Sequence, residues 1–181
     1  ESDLAGTAGK PGELDNIAVS SLTLLADTRL LYEMRYVDLP QNYYLAYANG
    51  LNNAVYYEHA LISHLGEIDT PEKPAIIADF LLRFDQVDWA LITATLNGNL
   101  VLSLRTRNAK RTAADTIRRL LRNLGEGGGH KTKAGGFIKL QNATEGEVER
   151  LKNTLRRRFL RSLHVKAQRG QRLVPKAVGK G

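Results

Sequence analysis

Hydrophobic and polar positions along this chain change period several times, and each change predicts an element. Leu14, Ile17, Ala18, Ser21, Leu22 and Leu25 recur at helical spacing. They predict an amphipathic helix from residue 13 to about residue 27, with Glu13 and Asp15 favourably placed in its first turn. Residues 29 to 36 continue as helix until Leu39-Pro40 stops it. Residues 41 to 59 read as a second helix, with Tyr44, Tyr47, Ala48, Leu51 and Val55 as its apolar stripe. Residues 60 to 65 alternate and read as a strand that ends at Gly66. Thr70 as N-cap and Pro71 at the first position then open a helix. Its buried face is Ile76, Ile77, Phe80, Leu81 and Phe84, and Asp79 and Arg83 form an i, i+4 pair on the other side.

Two strand-like runs, 89 to 96 and 99 to 105, flank Asn97-Gly98, the strongest short hairpin signal in the chain. A two-residue turn pairs Thr95 with Leu100, Thr93 with Leu102 and Leu91 with Leu104. The opposite face carries Ala94, Val101, Ile92, Ser103, Ala90 and Arg105. A helix over 108 to 123 follows, with Ala113, Ile117, Leu120, Leu121 and Leu124 inward and Arg111, Arg118 and Arg122 outward. After a glycine-rich stretch, Phe137-Ile138-Lys139-Leu140 reads as a strand. Thr144 and Glu147 make a capping box for a last helix, whose stripe is Val148, Leu151, Leu155 and Phe159.

The chain has 181 residues, 43% of them hydrophobic, and no apolar run near the ~20 residues of a membrane span. Those values predict a globular protein with one substantial core or two small ones, and no membrane partner. Cysteine is absent, which excludes disulfides and thiolate metal sites and fits a cytoplasmic location. The first residue is Glu1 rather than methionine, and a fragment or processed product is expected.

Charge is segregated. Residues 1 to 104 carry 5 Lys+Arg against 14 Asp+Glu, whereas residues 105 to 181 carry 21 against 5. The C-terminal part is therefore the anion-binding part, and the imbalance points to a polyanionic partner, although basic helices also serve solubility. Eleven basic residues and no acidic one follow Glu149. Residues 164 to 181 read as a flexible basic tail suited to a nucleic-acid backbone.

Six of the sixteen glycines fall between Gly125 and Gly136, so this stretch presents backbone rather than side chains. Gly127, Gly128 and Gly129 are free to take φ > 0 and to close main-chain N–H groups on an anion, with His130, Lys131 and Lys133 in reach of the same ligand. The competing reading makes Gly125 a helix C-cap and the triple glycine a flexible connector. Arg105 offers phosphate a planar fork, or else forms a surface salt bridge. Tyr43, Tyr44, Tyr47, Tyr56 and Tyr57 either stack on bases or fill core and interface positions. His64 reads as a structural or surface histidine. The pyrophosphate-binding P-loop is the weaker alternative, because GxxxxGK[ST] does not occur and the glycine stretch leads into a strand rather than a helix.

Gly127-Gly128-Gly129-His130 followed by Ala134-Gly135-Gly136 resembles the GGGHxxxAGG signature of the DHH-associated domain, the C-terminal half of DHH-family phosphoesterases. Residues 78 to 83 and 103 to 106 give supporting matches upstream, and the resemblance runs from about Asp3 to Leu140. It implies the substrate-binding half of a metal-dependent phosphoesterase. In that half Gly127, Gly128 and Gly129 give N–H donors, and His130 and Arg105 pair with phosphate oxygens. Ser103, Lys133, Gly135 and Gly136 complete the substrate-binding set. It further implies Mn2+ or Mg2+ in the parent enzyme, and Asp3, rather than the similar Asp27-Thr28-Arg29, as a metal ligand. No Asp-His-His triplet occurs in the chain, so the catalytic domain is expected to be a missing N-terminal partner, and this chain alone to be inactive. Implied substrates are short oligonucleotides, nucleoside bisphosphates or cyclic dinucleotides; a homodimer is a further expectation. The alternative from a different class is a non-catalytic nucleic-acid or nucleotide binding module.

The fold expected from all of this is α/β: a mixed β-sheet built from segments 60–65, 89–96, 99–105 and 136–140 and flanked by helices, with an N-terminal helical connector. Residues 1 to 58 are assigned to the end of a catalytic domain and the connector, 59 to 163 to the substrate-binding domain, and 164 to 181 to the tail.

Overall fold

Asn97 and Gly98 both take positive φ, 47° and 70°, the backbone of a two-residue turn that matches the natural strand twist. The turn joins strands Trp89–Leu96 and Asn99–Thr106, and their register is the expected one: Thr95 opposite Leu100, Thr93 opposite Leu102, Leu91 opposite Leu104. A computed structural model of the chain describes residues 12–108 and 110–175. In chain order its elements are α1 (Glu13–Thr23), α2 (Thr28–Arg35), α3 (Gln41–Asn53), β1 (Val55–Tyr57), β2 (Ala60–Glu67), α4 (Lys73–Leu81), β3 (Trp89–Leu96), β4 (Asn99–Thr106), α5 (Ala113–Leu121), β5 (Glu126–Gly129), β6 (Lys133–Lys139), α6 (Glu145–Ser162) and β7 (Gln171–Arg172).

The strands form one sheet in the order β5-β6-β4-β3-β2-β1-β7. β2 and β3 run parallel, joined through α4, and the other neighbours are antiparallel. The α/β class with a mixed sheet and flanking helices is the one expected. Strand alternation sends Leu91, Leu100, Leu102 and Leu104 to one face, where they pack with Trp89 against Ile117, Leu120 and Leu121 of α5 and Leu155 and Phe159 of α6. The other face turns Leu61, Leu65, Ile92 and Ala94 toward Ala46 of α3 and Ile77, Ala78 and Leu81 of α4. Each fully buried large side chain contributes about 1.5–3 kcal/mol. Trp89 and Phe159, at 1% and 0% exposure, anchor the first of these two cores. No described helix is long and apolar enough to cross a membrane.

The chain divides into two compact units, Glu1–Leu39 and Pro40–Gly181. In the first, the expected continuous helix is two. α1 ends at Thr23, and Asp27 caps α2 by accepting from the backbone N–H groups of Arg29 and Leu30. Neither helix has a buried residue; Leu14 and Leu25 are more than 80% exposed.

Several boundaries in the second unit differ from expectation. α3 stops at Asn53, because Val55–Tyr57 leaves the helix to pair with Ala60–Ile62 of β2. Its buried positions are Ala46 and Gly50, while Tyr44 is 62% exposed. α4 begins at Lys73 with Pro74 in its first turn, not at Pro71. Phe80 is 40% exposed and meets the Tyr47 ring edge-on at 5.3 Å. α5 starts at Ala113, where the Thr112 hydroxyl accepts from Asp115 N–H. The Thr144–Glu147 capping box of α6 is present as expected.

The segment expected to be a flexible tail is ordered over its described part. The carboxylate of Glu58 accepts from the N–H groups of Lys166 and Ala167 at 2.9 and 2.8 Å. Gln171 and Arg172 then pair with Tyr56 and Val55, and the Tyr56 hydroxyl donates to the Gln171 side chain.

Candidate functional site

The triple glycine is neither a loop nor a connector: it forms β5, an edge strand of the sheet. Gly127 lies opposite Gly136, Gly128 opposite Gly135 and Gly129 opposite Ala134. Among these three glycines only Gly129 has positive φ, at 157°, so the expected run of left-handed residues is replaced by extended backbone. An edge strand leaves outward N–H groups unpaired, so donors are still presented, from one side of a ladder.

The glycines divide by face. A Cβ on Gly127 would fall 2.5 Å from Cδ1 of Leu121, and one on Gly136 would fall 2.3 Å from the same methyl group. These two are glycine because α5 lies too close for anything larger. On the opposite face a Cβ on Gly128 would meet nothing within 4 Å, and one on Gly135 only the Leu102 carbonyl at 3.3 Å. Packing therefore accounts for one pair and leaves the other bare.

Register places the remaining candidates beside the bare pair. Ser103 is opposite Gly135 on β4, so Ser103, Gly135 and Gly128 form one row, and Arg105 opposite Lys133 forms the next. Paired residues of an antiparallel ladder share a face, hence both rows look away from α5. Arg105 is only 11% exposed in its side chain. Its Nε donates to Oδ1 of Asp79 at 2.8 Å, and Nη1 donates to Ser103 Oγ at 3.0 Å and to the Leu104 carbonyl at 3.2 Å. The guanidinium is thus oriented by α4 at one end and by Ser103, itself 5% exposed, at the other.

Asp79 is the residue sequence reasoning misplaced. Its expected partner was Arg83, four residues on, whereas the carboxylate reaches across to β4 instead. The only sequence signal was its position in the 78 to 83 segment, and that gave no hint of Arg105.

His130 stands at the start of the β5–β6 turn, and its main chain is fixed. Its N–H donates to the Lys133 carbonyl at 2.7 Å and its carbonyl accepts from Ala114 at 3.1 Å. The Lys131 carbonyl accepts from Ala113 and the Thr132 carbonyl from Thr106. The turn is thereby tied both to the first turn of α5 and to the end of β4. The side chains of His130, Lys131 and Lys133 are exposed. A rigid backbone carrying three exposed nitrogenous side chains beside a bare glycine row suits an anionic ligand with a flat part.

The expected metal ligand Asp3 lies outside the described residues. Among the described residues no group of three or more His, Asp or Glu is placed to hold a metal ion. The donor set among the described residues does not fit a divalent metal centre.

No protein-family model matches the chain, and no curated protein sequence matches it either. Solved structures do. An exopolyphosphatase-related protein from Bacteroides fragilis superposes with TM-score 0.62 over 90% of this chain at 17% identity. This chain spans about half of that protein, 48% of its length. The C-Ala domain of Aquifex aeolicus alanyl-tRNA synthetase matches with TM-score 0.43 at 22% identity, over 56% of this chain and 96% of its own. RecJ from Thermus thermophilus, solved with Mg2+, matches with TM-score 0.47 at 18% identity, over 67% of this chain and 18% of its own. The first of these likenesses shows that the α/β fold is shared with a phosphatase-related protein.

Proposed function

We propose that this chain is the substrate-binding part of a metal-dependent phosphoesterase of the DHH type. The metal-bearing domain belongs elsewhere in the parent protein. The observation that carries this reading is the bare pair Gly128 and Gly135, in register with Ser103 and lying beside Arg105 and Lys133. The glycine-histidine motif and the fold shared with the exopolyphosphatase-related protein support it.

The chemistry assigned to the chain's own residues is binding and orientation. The glycine row lets a base or sugar lie against the sheet without meeting a side chain. Edge N–H groups of β5, together with His130 and Lys133, take phosphate oxygens, and Arg105 supplies a charge already held at a fixed angle. The substrate classes are short oligonucleotides, nucleoside bisphosphates or cyclic dinucleotides. Mn2+ or Mg2+ is assigned to the partner domain, since the donor set among this chain's described residues does not fit a divalent ion.

The test is a titration with a short oligonucleotide at fixed salt, comparing the parent chain with Gly128→Val, His130→Ala and Arg105→Ala. Loss of a charge-assisted hydrogen bond to phosphate costs about 1.5 to 3 kcal/mol, so His130→Ala should weaken binding by roughly tenfold or more without unfolding. Parent-like binding by all three folded variants overturns the proposal.

A further inference from the structure

The sheet face that looks toward α5 and α6 holds a second opening, remote in register from the glycine row. Between β1, β2, β3 and the middle of α6 lies a cleft of about 190 Å³. Its wall is apolar, made by Ile62, Leu91 and Leu155, and its rim carries Glu149, Lys152 and Arg156 of α6, two cations against one carboxylate. Lys152 pairs with Glu149 at 2.5 Å. Arg156 is exposed and acts on Glu149 only through its field. His64 of β2 also lines the cleft, with Nδ1 3.0 Å from Oγ1 of Thr93.

This combination differs from a surface charge cluster in the apolar side chains that line the cleft beside the cations. The volume is smaller than the ~300–1,000 Å³ of sites for drug-sized ligands, so the occupant is compact. We propose that the cleft binds a compact organic anion, with an aromatic or branched body against Ile62, Leu91 and Leu155 and a phosphate or carboxylate between Lys152 and Arg156. Carboxylate and phosphate monoester share this chemistry, and the site is independent of the glycine row.

His64 couples the site to pH. Nδ1 shares a hydrogen bond with the Thr93 hydroxyl, which also lies 3.4 Å from the Ser63 carbonyl. The groups acting on the ring are Thr93 from β3 and Lys152 and Glu149 from α6, while Asn53 of α3 reaches only the His64 carbonyl. Burial, then Lys152, holds the imidazole below its usual range, with Glu149 opposing. A bound anion offsets the field of Lys152, raises the bound-state value and draws a proton in. Affinity therefore rises as pH falls.

The experiment is an amide-resolved NMR titration of the 181-residue chain with benzoate, phenyl phosphate and inorganic phosphate. Benzoate keeps one charge above pH ~6, so the pH arm uses it. The expected result is movement of the Ile62, Leu91 and Leu155 amides by benzoate or phenyl phosphate, the preferred one naming the headgroup, with inorganic phosphate weaker. Arg156→Ala should weaken binding by about tenfold, whereas Arg105→Ala should leave it unchanged. Silence of those amides up to about 10 mM overturns the proposal. So does parent-like binding by Arg156→Ala, equal binding of inorganic phosphate, or loss of binding in folded Arg105→Ala.

Discussion

Gly127 and Gly136 face each other across the β5–β6 ladder, and one methyl group of Leu121 occupies the space where both side chains would be. The neighbouring pair, Gly128 and Gly135, has no such reason to be glycine. Substitution should separate the two. Gly127→Ala sets its Cβ 2.8 Å from the Gly135 carbonyl as well as against Leu121, and overpacking of that kind costs about 1–3 kcal/mol. Gly128→Val meets open space and should melt within a degree or two of the parent while losing oligonucleotide binding. Thermal melts beside binding isotherms check both, and a Gly128→Val that binds normally removes the ligand from this face.

Asp79 competes with any anion for Arg105. Its carboxylate is about half exposed, so Asp79→Asn should change stability by less than about 1 kcal/mol. Removing the competing charge should tighten phosphate binding several-fold and make its salt dependence steeper. Fluorescence anisotropy across a salt series would show this, and weaker binding by the variant would mean that Asp79 is needed to aim the guanidinium.

Acid stability should carry the signature of His64. Because the folded-state imidazole titrates below its ordinary value, held there first by burial and then by Lys152, the neutral ring favours the folded state. That contribution is fully present above the unfolded value near 6.5 and is lost as pH falls through the lower folded value. Denaturant unfolding from pH 8 to pH 5 should show a decline that His64→Gln removes; an identical decline in the variant assigns it to other groups.

The ordered segment after α6 gives a third stability test. A Cβ on Gly170 would lie 2.3 Å from Cγ1 of Val55 and 2.5 Å from the Tyr57 ring, so Gly170→Val should expel β7 and cost about 1–3 kcal/mol. Trypsin should then cut after Lys166 and Arg169 much faster than in the parent. Unchanged proteolysis would show that the strand is not closed in solution.

The hairpin at Asn97-Gly98 was legible to the residue because turn chemistry and alternation agree there. Leu100, Leu102 and Leu104 had one face open to them and took it. The same reasoning failed at β5, since four residues with one side chain carry no period at all. Their strand conformation comes from pairing with β6. β1 and β7 were invisible for a related reason: three and two residues long, they are made by partners rather than by propensity. Of the site, the motif residues were legible, and so was the face shared by Ser103 and Arg105, but the reach of Asp79 from α4 was not.

Charge segregation proved only half a functional signal. Arg158 donates to the Leu120 and Arg122 carbonyls at the end of α5, Arg111 to that of Ser162 at the end of α6, and Arg172 to that of Asn52 near the end of α3. These guanidinium groups satisfy carbonyls that a helix end leaves without partners. Part of the basic excess is therefore mortar between elements, and a count of charges overstates what is left for a polyanion.

The pairing of β7 with β1 joins residues 115 positions apart, and this sets an order of events during synthesis. Chains emerge from the ribosome N-terminal end first, so β1 to β6 are all available before Gln171 exists. Until Gln171 and Arg172 have emerged, Val55 and Tyr56 offer an open strand edge, the kind of surface that invites another chain to pair. The β1 edge is covered only when β7 docks on it, which makes synthesis of that strand the step that protects this edge from a neighbouring copy.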